Sequence, residues 1–462
     1  MSTVIHSHVM THSPFLGPYH PQHTVAWFNG KSMSTGIVLS HISLIKSQLP
    51  HKRYVINMCQ DRYAFLVGFA AALSRNQTTL LPPNPSPEIM QQLTREYPDC
   101  YYVTDGQEKI TGMDGLTLNL DTNSDHAPIE NPQFPDCHVA AIAFTSGTTG
   151  TPRPNPKTWG SMVQIAQKTG ESLPLTQRKP VTVVATVPHQ HMYGLETTIM
   201  LPLQKGWAIH SGRPFFPEDV AAILEEQPSP RILVSTPIHL RACVLTESKF
   251  PEVPYTLSAT APLTIELAKQ VEELLHTTMV EIYGFAEAGT IATRQPIREN
   301  HWTLLPELTL ESQTDGHAVR TPYFLEPISI PDTIQPMTLH QFTLKGRPSH
   351  LINIGGHRAS LDALNLSLLS IDGVVDGAFY MPEEKGESIT RLVAFVAAPG
   401  ETVESILSAL RTKIASIFLP RPVYLIETLP RNNTGKFLKK DAEALIREHA
   451  SLADSPKQAI KP

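Results

Sequence analysis

The chain has 462 residues, 41% of them hydrophobic and 17% charged, with a net charge of −6. At roughly 150 residues per domain this leaves room for about three domains, and for a core that needs neither disulfides nor structural metal. The composition excludes a disordered or low-complexity chain, and the negative balance argues against nucleic-acid binding through a broad basic surface.

Cys59, Cys100, Cys137 and Cys243 lie without Cys-x-x-Cys spacing, so neither a disulfide framework nor a zinc ribbon is legible. No run approaches ~18 consecutive apolar residues, and no basic-then-apolar leader is visible. These features predict a soluble, cytoplasmic protein with no membrane span. The 41 prolines against 25 glycines predict rigid connections rather than long flexible linkers.

The first ~25 residues carry His6, His8, His12, His20 and His23 among Ser, Thr and Pro, with no cysteine or carboxylate at ligand spacing, and read as a polar, loosely packed arm with a metal tract as the other reading. From residue 52 strands and helices alternate. Strand-like runs fall at Arg53–Met58, Thr78–Leu81, Tyr101–Thr104, Val139–Phe144, Val181–Val187, Arg231–Ser235 and Val280–Ile282. Helical periodicity marks Arg62–Leu73, Ser86–Tyr97, Glu218–Glu226 and Thr264–His276. This alternation predicts a layered α/β body with mixed or largely parallel sheets.

After residue 346 the texture changes. Helices are predicted at Ser360–Leu369, Val403–Ile417 and Lys439–His449, and strands at Val374–Tyr380, Leu392–Ala397 and Val423–Ile426. The expected organisation is a large body over residues 1–346 and a small α+β domain over residues 347–462.

The most informative segment is Thr145-Ser146-Gly147-Thr148-Thr149-Gly150, directly after an apolar strand. Its hydroxyls and glycines allow backbone and side-chain donors to converge on an anion, as in a phosphate-binding loop. A Ser/Thr/Gly surface loop is the alternative. A Walker A loop is excluded, because no Gly-Lys-Ser/Thr follows at the required spacing.

The run Ser146–Pro152 (Ser-Gly-Thr-Thr-Gly-x-Pro) resembles the phosphate loop of the adenylate-forming superfamily, which includes acyl- and aryl-CoA synthetases, nonribosomal adenylation domains and firefly luciferase. Further elements of that superfamily follow in order. Pro188–Leu195 is similar to its Pro-x-x-His-x-x-Gly-Leu element, Ser258–Leu263 to its adenine-lining segment, and Tyr283–Glu287 to Tyr-Gly-x-Thr-Glu. Asp332 lies fifteen residues before Arg347 of a Gly-Arg pair, and Arg358 eleven residues beyond it, in Gly355-Gly356-His357-Arg358. Leu429–Lys436 resembles the loop that delivers a catalytic lysine. The resemblance covers about residue 50 to 445, nearly the whole chain.

The resemblance implies an acid–thiol ligase that activates a small carboxylic acid with ATP as an acyl-adenylate, releases pyrophosphate, and passes the acyl group to coenzyme A or a carrier-protein phosphopantetheine. It assigns Thr145, Ser146, Gly147, Thr148, Thr149 and Gly150 to the phosphates, Thr260, Ala261, Pro262, Tyr283 and Gly284 to the AMP portion, and Glu287 to Mg2+. Asp332 would accept from the ribose hydroxyls beside Arg347, and Arg358 is assigned to cofactor binding. Gly355 and Gly356 would line the thiol path, carried on a mobile C-terminal domain. Lys436 would touch both acid and phosphate, and His191 would wall the acyl pocket with Met192 and Tyr193. The acid is expected to be hydrophobic or aromatic, and an acyl carrier protein is a candidate partner.

Several positions depart from the superfamily pattern. Arg153 and Pro154 stand where Lys-Gly usually follows the loop proline, with Lys157 nearby, and Thr158-Trp159 replaces Thr-His. The Pro-Lys-Thr-Trp string resembles short bacterial ligases of polyene- and fatty-acid-like gene clusters. Ala286 replaces the usual threonine, Ser349 stands at the Asp hinge position, and Pro331 precedes Asp332 where Gly is typical. These motivate an alternative: a weakened nucleotide-binding or scaffold member of the same superfamily. Retention of Lys436, Glu287, Arg347 and Arg358 points to an active enzyme.

Overall fold

The computed structural model describes residues 11–17, 20–82, 85–106, 109–120, 130–145, 153–173, 181–324, 326–346, 351–354, 357–382, 391–432 and 435–453. The chain divides into two compact units. One comprises Met1–Ala259, Val271–Ile330 and Pro336–Phe342, and the other Thr260–Gln270, Pro331–Gln335 and Thr343–Pro462.

The first unit is the layered α/β arrangement that the alternation predicts. In one sheet the strands Cys100–Thr104, Tyr54–Asn57, Thr78–Leu81 and Val139–Thr145 run parallel in that spatial order, and Arg153–Thr158 closes the edge antiparallel. A larger sheet has a parallel centre of Thr278–Phe285, Tyr255–Ser258, Arg231–Ser235, Thr182–Ala185, Ala208–His210 and Thr24–Phe28. On its Thr278–Phe285 side the antiparallel strand Gly289–Arg294 follows through a short turn. Apolar runs without alternation fit strands covered on both faces.

The helix Arg62–Leu73 touches strands of both sheets, and all of its residues are buried. Asp61 caps it by accepting from Tyr63 N and Ala64 N at 2.8 and 3.0 Å. Arg62, fully buried, spends its fork on main-chain carbonyls of Ala185, Val187, His210 and Gly212. These carbonyls lie at strand ends, so the guanidinium satisfies acceptors that the ladders leave over. Burial pulls its pKa down to about 10.

One expectation is corrected here. Residues from His12 onward are not a loose arm: His12–Pro14 pairs with Gln133–Pro135, Phe15 and Leu16 are buried, and Phe15 stacks on Trp159 with ring centroids 6.2 Å apart. An apolar Pro-Phe-Leu run inside the polar tract supplies the burial that outweighs its hydrophilic flanks. Pro237–Leu245 is a helix with proline in its first turn.

The second unit contains an α+β core. Asp376–Tyr380 pairs antiparallel with Val393–Ala397, which pairs parallel with Val423–Leu425. Leu364 and Leu368 of the helix Leu361–Leu369 and Ile406 and Leu410 of Val403–Lys413 bury one face of this sheet with Phe379, Ala394 and Val396. Phe395, on the opposite face by strand alternation, packs with Ala442 of the helix Lys439–Ala453 and with Leu429.

Candidate active site

The strand Val139–Thr145 ends where the Ser/Thr/Gly loop begins, and Arg153–Thr158 returns beside it with Arg153 opposite Thr145. The two flanking strands pair antiparallel, and the outgoing one is buried through Ala140, Ala141, Ala143 and Phe144. Ser146, Gly147, Thr148, Thr149 and Gly150 lie outside the described residues, as does the side chain of Thr145. On the returning strand Asn155 and Lys157 face inward while Arg153, Pro154 and Pro156 are exposed. Asn155 Nδ2 donates to the carbonyls of Ala143 and Arg153 at 3.2 and 3.1 Å, which stiffens the strand pair.

Lys157 is 4% exposed, and its Nζ donates to the main-chain carbonyl of Glu287 at 2.5 Å. This bond joins the strand pair to the Tyr283–Glu287 element, 130 residues away in sequence. Burial pulls the ammonium pKa down to about 8, against the opposing pull of Glu196 and Glu287. The Glu287 side chain itself is exposed.

Glu287 sits in the turn between Thr278–Phe285 and Gly289–Arg294, above a bulge between Tyr283 and Gly284. Gly284 is required by close approach, because a Cβ there would lie 2.4 Å from the Gly289 carbonyl oxygen. The ring of Tyr283 packs against Trp302 and Phe342, with centroids 5.5 and 5.8 Å away. Ala286 is half-buried and offers no hydroxyl.

Behind this turn the carboxylate of Glu196 is buried and accepts from Thr290 N at 2.9 Å and Thr290 Oγ1 at 2.6 Å. Burial raises its pKa, with the Thr290 hydrogen bonds and Lys157 pulling the other way. Glu196 opens a five-residue π-helical segment, Glu196–Met200, that continues the short helix Met192–Leu195. His191 is the N-cap of that short helix, half-buried, and makes no side-chain cap hydrogen bond. His189 belongs to the core instead. Its Nε2 lies 3.0 Å from the Cys59 carbonyl, and burial with the nearby Arg62 charge keeps it neutral. Tyr193 OH donates to the Ser235 carbonyl at 3.1 Å, and burial raises its phenol pKa well above the ordinary range.

The second unit holds the remaining candidates. Thr260 adopts φ +77°, a conformation that a β-branched residue rarely takes, and its buried Oγ1 has no hydrogen-bond partner among the described residues. Ala261 is half-buried and Pro262 exposed, ahead of a helix whose first turn is capped by Thr264 Oγ1, accepting from Leu267 N at 3.1 Å. Asp332 is half-buried after the exposed Pro331. Arg347, Gly355 and Gly356 lie outside the described residues. Arg358 stands opposite Asn353 in the hairpin Leu351–Ile354/His357–Ser360, its side chain also outside them.

Lys436 is exposed on a tight loop. Its N donates to Asn432 Oδ1 at 2.8 Å, and Gly435 takes φ +77° before it. Arg431 holds the loop from below, donating to both carboxylate oxygens of Asp376 at 2.8 and 2.7 Å and to the Gly435 carbonyl at 2.8 Å. Sequence reasoning missed Arg431, Asp376, Glu196 and Thr290. Arg431 was within reach, since it directly follows Leu429-Pro430 in the lysine loop; Glu196 carried no signal beyond its position after Gly194-Leu195. Trp159, noted as a departure, is a core residue whose Nε1 donates to Ser13 O at 3.0 Å. Among the described residues no cluster of three or more His, Cys, Asp or Glu could hold a metal, and no helix is long and apolar enough to cross a membrane.

Comparison with known proteins bears on this geometry. Residues 44–310 match the family model described as AMP-binding enzyme. The chain is 27% identical over 314 residues to a 4-coumarate–CoA ligase of Halorhodospira halophila, covering 65% of this chain and 75% of the relative. It is 24% identical over 363 residues to the oxalate–CoA ligase of Saccharomyces cerevisiae, covering 68% and 64%. Among solved structures, o-succinylbenzoate CoA synthetase of Bacillus subtilis with its acyl-adenylate intermediate superimposes with a TM-score of 0.78 at 16% identity, over 97% of this chain and 100% of that one. ATP-bound MatB from Rhodopseudomonas palustris gives a TM-score of 0.77 at 15% identity, over 94% and 97%.

Proposed function

This chain belongs to the AMP-binding enzyme family, and we infer from that premise that it is an AMP-forming acid–thiol ligase. It activates a carboxylic acid with ATP as an acyl-adenylate, releases pyrophosphate, and transfers the acyl group to the thiol of coenzyme A. The observation that carries this reading is the 2.5 Å hydrogen bond from Lys157 to the Glu287 carbonyl. It sets the strand leaving the phosphate loop against the turn that carries the proposed metal ligand.

Adenylation brings together two anions, the acid carboxylate and the α-phosphate, so the site has to concentrate donors and positive charge. The loop Thr145–Gly150 supplies main-chain and hydroxyl donors for the departing phosphates. Glu287 presents an exposed carboxylate, a hard oxygen donor of the kind Mg2+ takes together with substrate phosphates. Bound there, Mg2+ would neutralise phosphate charge as it develops. Thr260 has a buried hydroxyl with no hydrogen-bond partner among the described residues, which supports a role toward AMP; Ala261, Pro262, Tyr283 and Gly284 carry the same assignment. Asp332 and Arg347 serve the ribose, Arg358 the cofactor, the Gly355-Gly356 pair the thiol stage, and Lys436 the reacting acid and phosphate.

The acid is hydrophobic or aromatic, with His191, Met192 and Tyr193 in the pocket wall; a relative named for 4-coumarate supports an aryl acid. Coenzyme A is the acceptor by analogy with the CoA ligases the chain resembles, and an acyl carrier protein is the rival. A functional boundary near residue 346 and a cytoplasmic location complete the reading.

The test is acid-dependent ATP–pyrophosphate exchange across short, medium, long-chain and aryl acids, with Lys436→Ala as control. Exchange with one acid class that collapses in the control supports adenylation and identifies the substrate. ATP binding without exchange for any acid supports the second reading, a weakened nucleotide-binding member, which Ala286 favours by removing one hydroxyl donor.

A further inference from the structure

Beneath the Glu287 turn lie two buried side chains of opposite charge, Lys157 and Glu196, to which the adenylation reading gives no chemical role of their own. Strand alternation puts Lys157 on the inner face of Arg153–Thr158, where an apolar residue would satisfy the core without desolvating an ammonium. Replacing buried ion pairs by apolar groups is often neutral or stabilising, so the fold alone does not call for these charges.

What they do is local. Lys157 fixes the carbonyl of Glu287 from one side. Glu196 fixes the next residues from the other, taking both donors of Thr290 on Oε2. Its Oε1 fills the space at Gly289, where a Cβ would lie 2.2 Å away and φ is +81°. The residues between these anchors, Glu287 and Ala288, are thereby held at both ends. Of the pair, only Glu287 points outward, with its side chain exposed while Ala288 is buried.

We propose that Lys157 and Glu196 are positioning residues for Glu287, clamping its turn so that the carboxylate is presented to the divalent cation of the nucleotide. The proposal rests on the adenylation reading through the role given to Glu287. It accounts for a lysine and a glutamate buried under one turn, for the hydrogen bonds each makes to that turn, and for glycine at residue 289.

The experiment uses the full chain and reads Mn2+ binding by electron paramagnetic resonance in the presence of α,β-methylene-ATP, beside metal-free AMP affinity. Lys157→Met and Glu196→Gln are each expected to weaken Mn2+ binding by about tenfold or more, the usual size of an outer-shell effect, while AMP affinity stays within about twofold. Lys157→Arg should recover part of the loss. If a single variant leaves a lone buried charge and does not fold, the double Lys157→Met/Glu196→Gln removes both charges and should fold with weak Mn2+ binding. Wild-type Mn2+ affinity in the double variant, or AMP affinity that falls in step with Mn2+ affinity, overturns the positioning role. Failure of the unaltered chain to bind Mn2+ with the nucleotide analogue overturns the adenylation reading itself.

Discussion

The two charged residues proposed for the metal and for the reacting phosphate, Glu287 and Lys436, are held by opposite means. The Glu287 turn is anchored from inside the first unit by Lys157 and Glu196, each no more than 5% exposed. The Lys436 loop lies at the surface of the second unit, held by the half-buried Arg431–Asp376 pair, the Asn432 side chain and a left-handed glycine. A metal ligand has to stay where it is, and buried hydrogen bonds in low dielectric hold it there. A lysine meant to serve a reacting centre needs a long exposed stem on a firm base, which a bidentate Arg–carboxylate clip below the loop provides.

That contrast can be broken or sharpened in four ways, taken from the largest effect to the smallest. Lys436→Ala should lower pyrophosphate exchange by about 10²–10³-fold, the range for removing one preorganised donor to developing charge. Its melting temperature should match the parent, since the side chain is exposed; a lowered melting temperature would make Lys436 structural.

Acid should act on the first unit, through the half-buried His239. His239 has its pKa lowered to about 4 by burial and by Arg213, from an ordinary value near 6.5. The folded state therefore binds fewer protons than the unfolded one between those values. This contribution is present above pH ~6.5 and is lost as pH falls toward ~4, amounting to at most about 3 kcal/mol. Denaturant titrations of the parent and His239→Gln across this range should show a shallower acid loss in the variant. Parallel curves would remove His239 from the account.

Gly289→Ala should cost at least about 2 kcal/mol, because a Cβ at φ +81° is strained and meets the Glu196 carboxylate. Urea midpoints measure this, and an unchanged midpoint would mean that the Glu196 anchor is slack. Smallest is Thr260→Gly. Relief of strain at φ +77° against the added freedom of an unfolded glycine should leave stability within about 1 kcal/mol of the parent. AMP affinity should fall nonetheless, by the loss of one buried hydroxyl, and calorimetric titration with AMP would show it. Unchanged affinity would place Thr260 outside the nucleotide site.

Much of the fold was legible because it rests on local periodicity. Arg62–Leu73, Thr78–Leu81 and Arg231–Ser235 form over the residues that their apolar patterns predict. The segment that pattern misassigned, His12–Pro14, is short and polar-flanked, and its state is set by what it packs on. For the site, motifs in order named Glu287, His191, Asp332 and Lys436, because each needs a particular residue type at a particular spacing.

By itself, then, the sequence determined the architecture class and the order of the chemical elements, and it proposes the groups that would meet the metal and the phosphates. Only the tertiary structure decided which residues stand behind them. Lys157 and Glu287 are 130 residues apart, and Arg431 and Asp376 are 55 apart. A buried lysine reads in sequence like any solvated one, since burial, and the partners that make it tolerable, come from chain segments that meet only on folding.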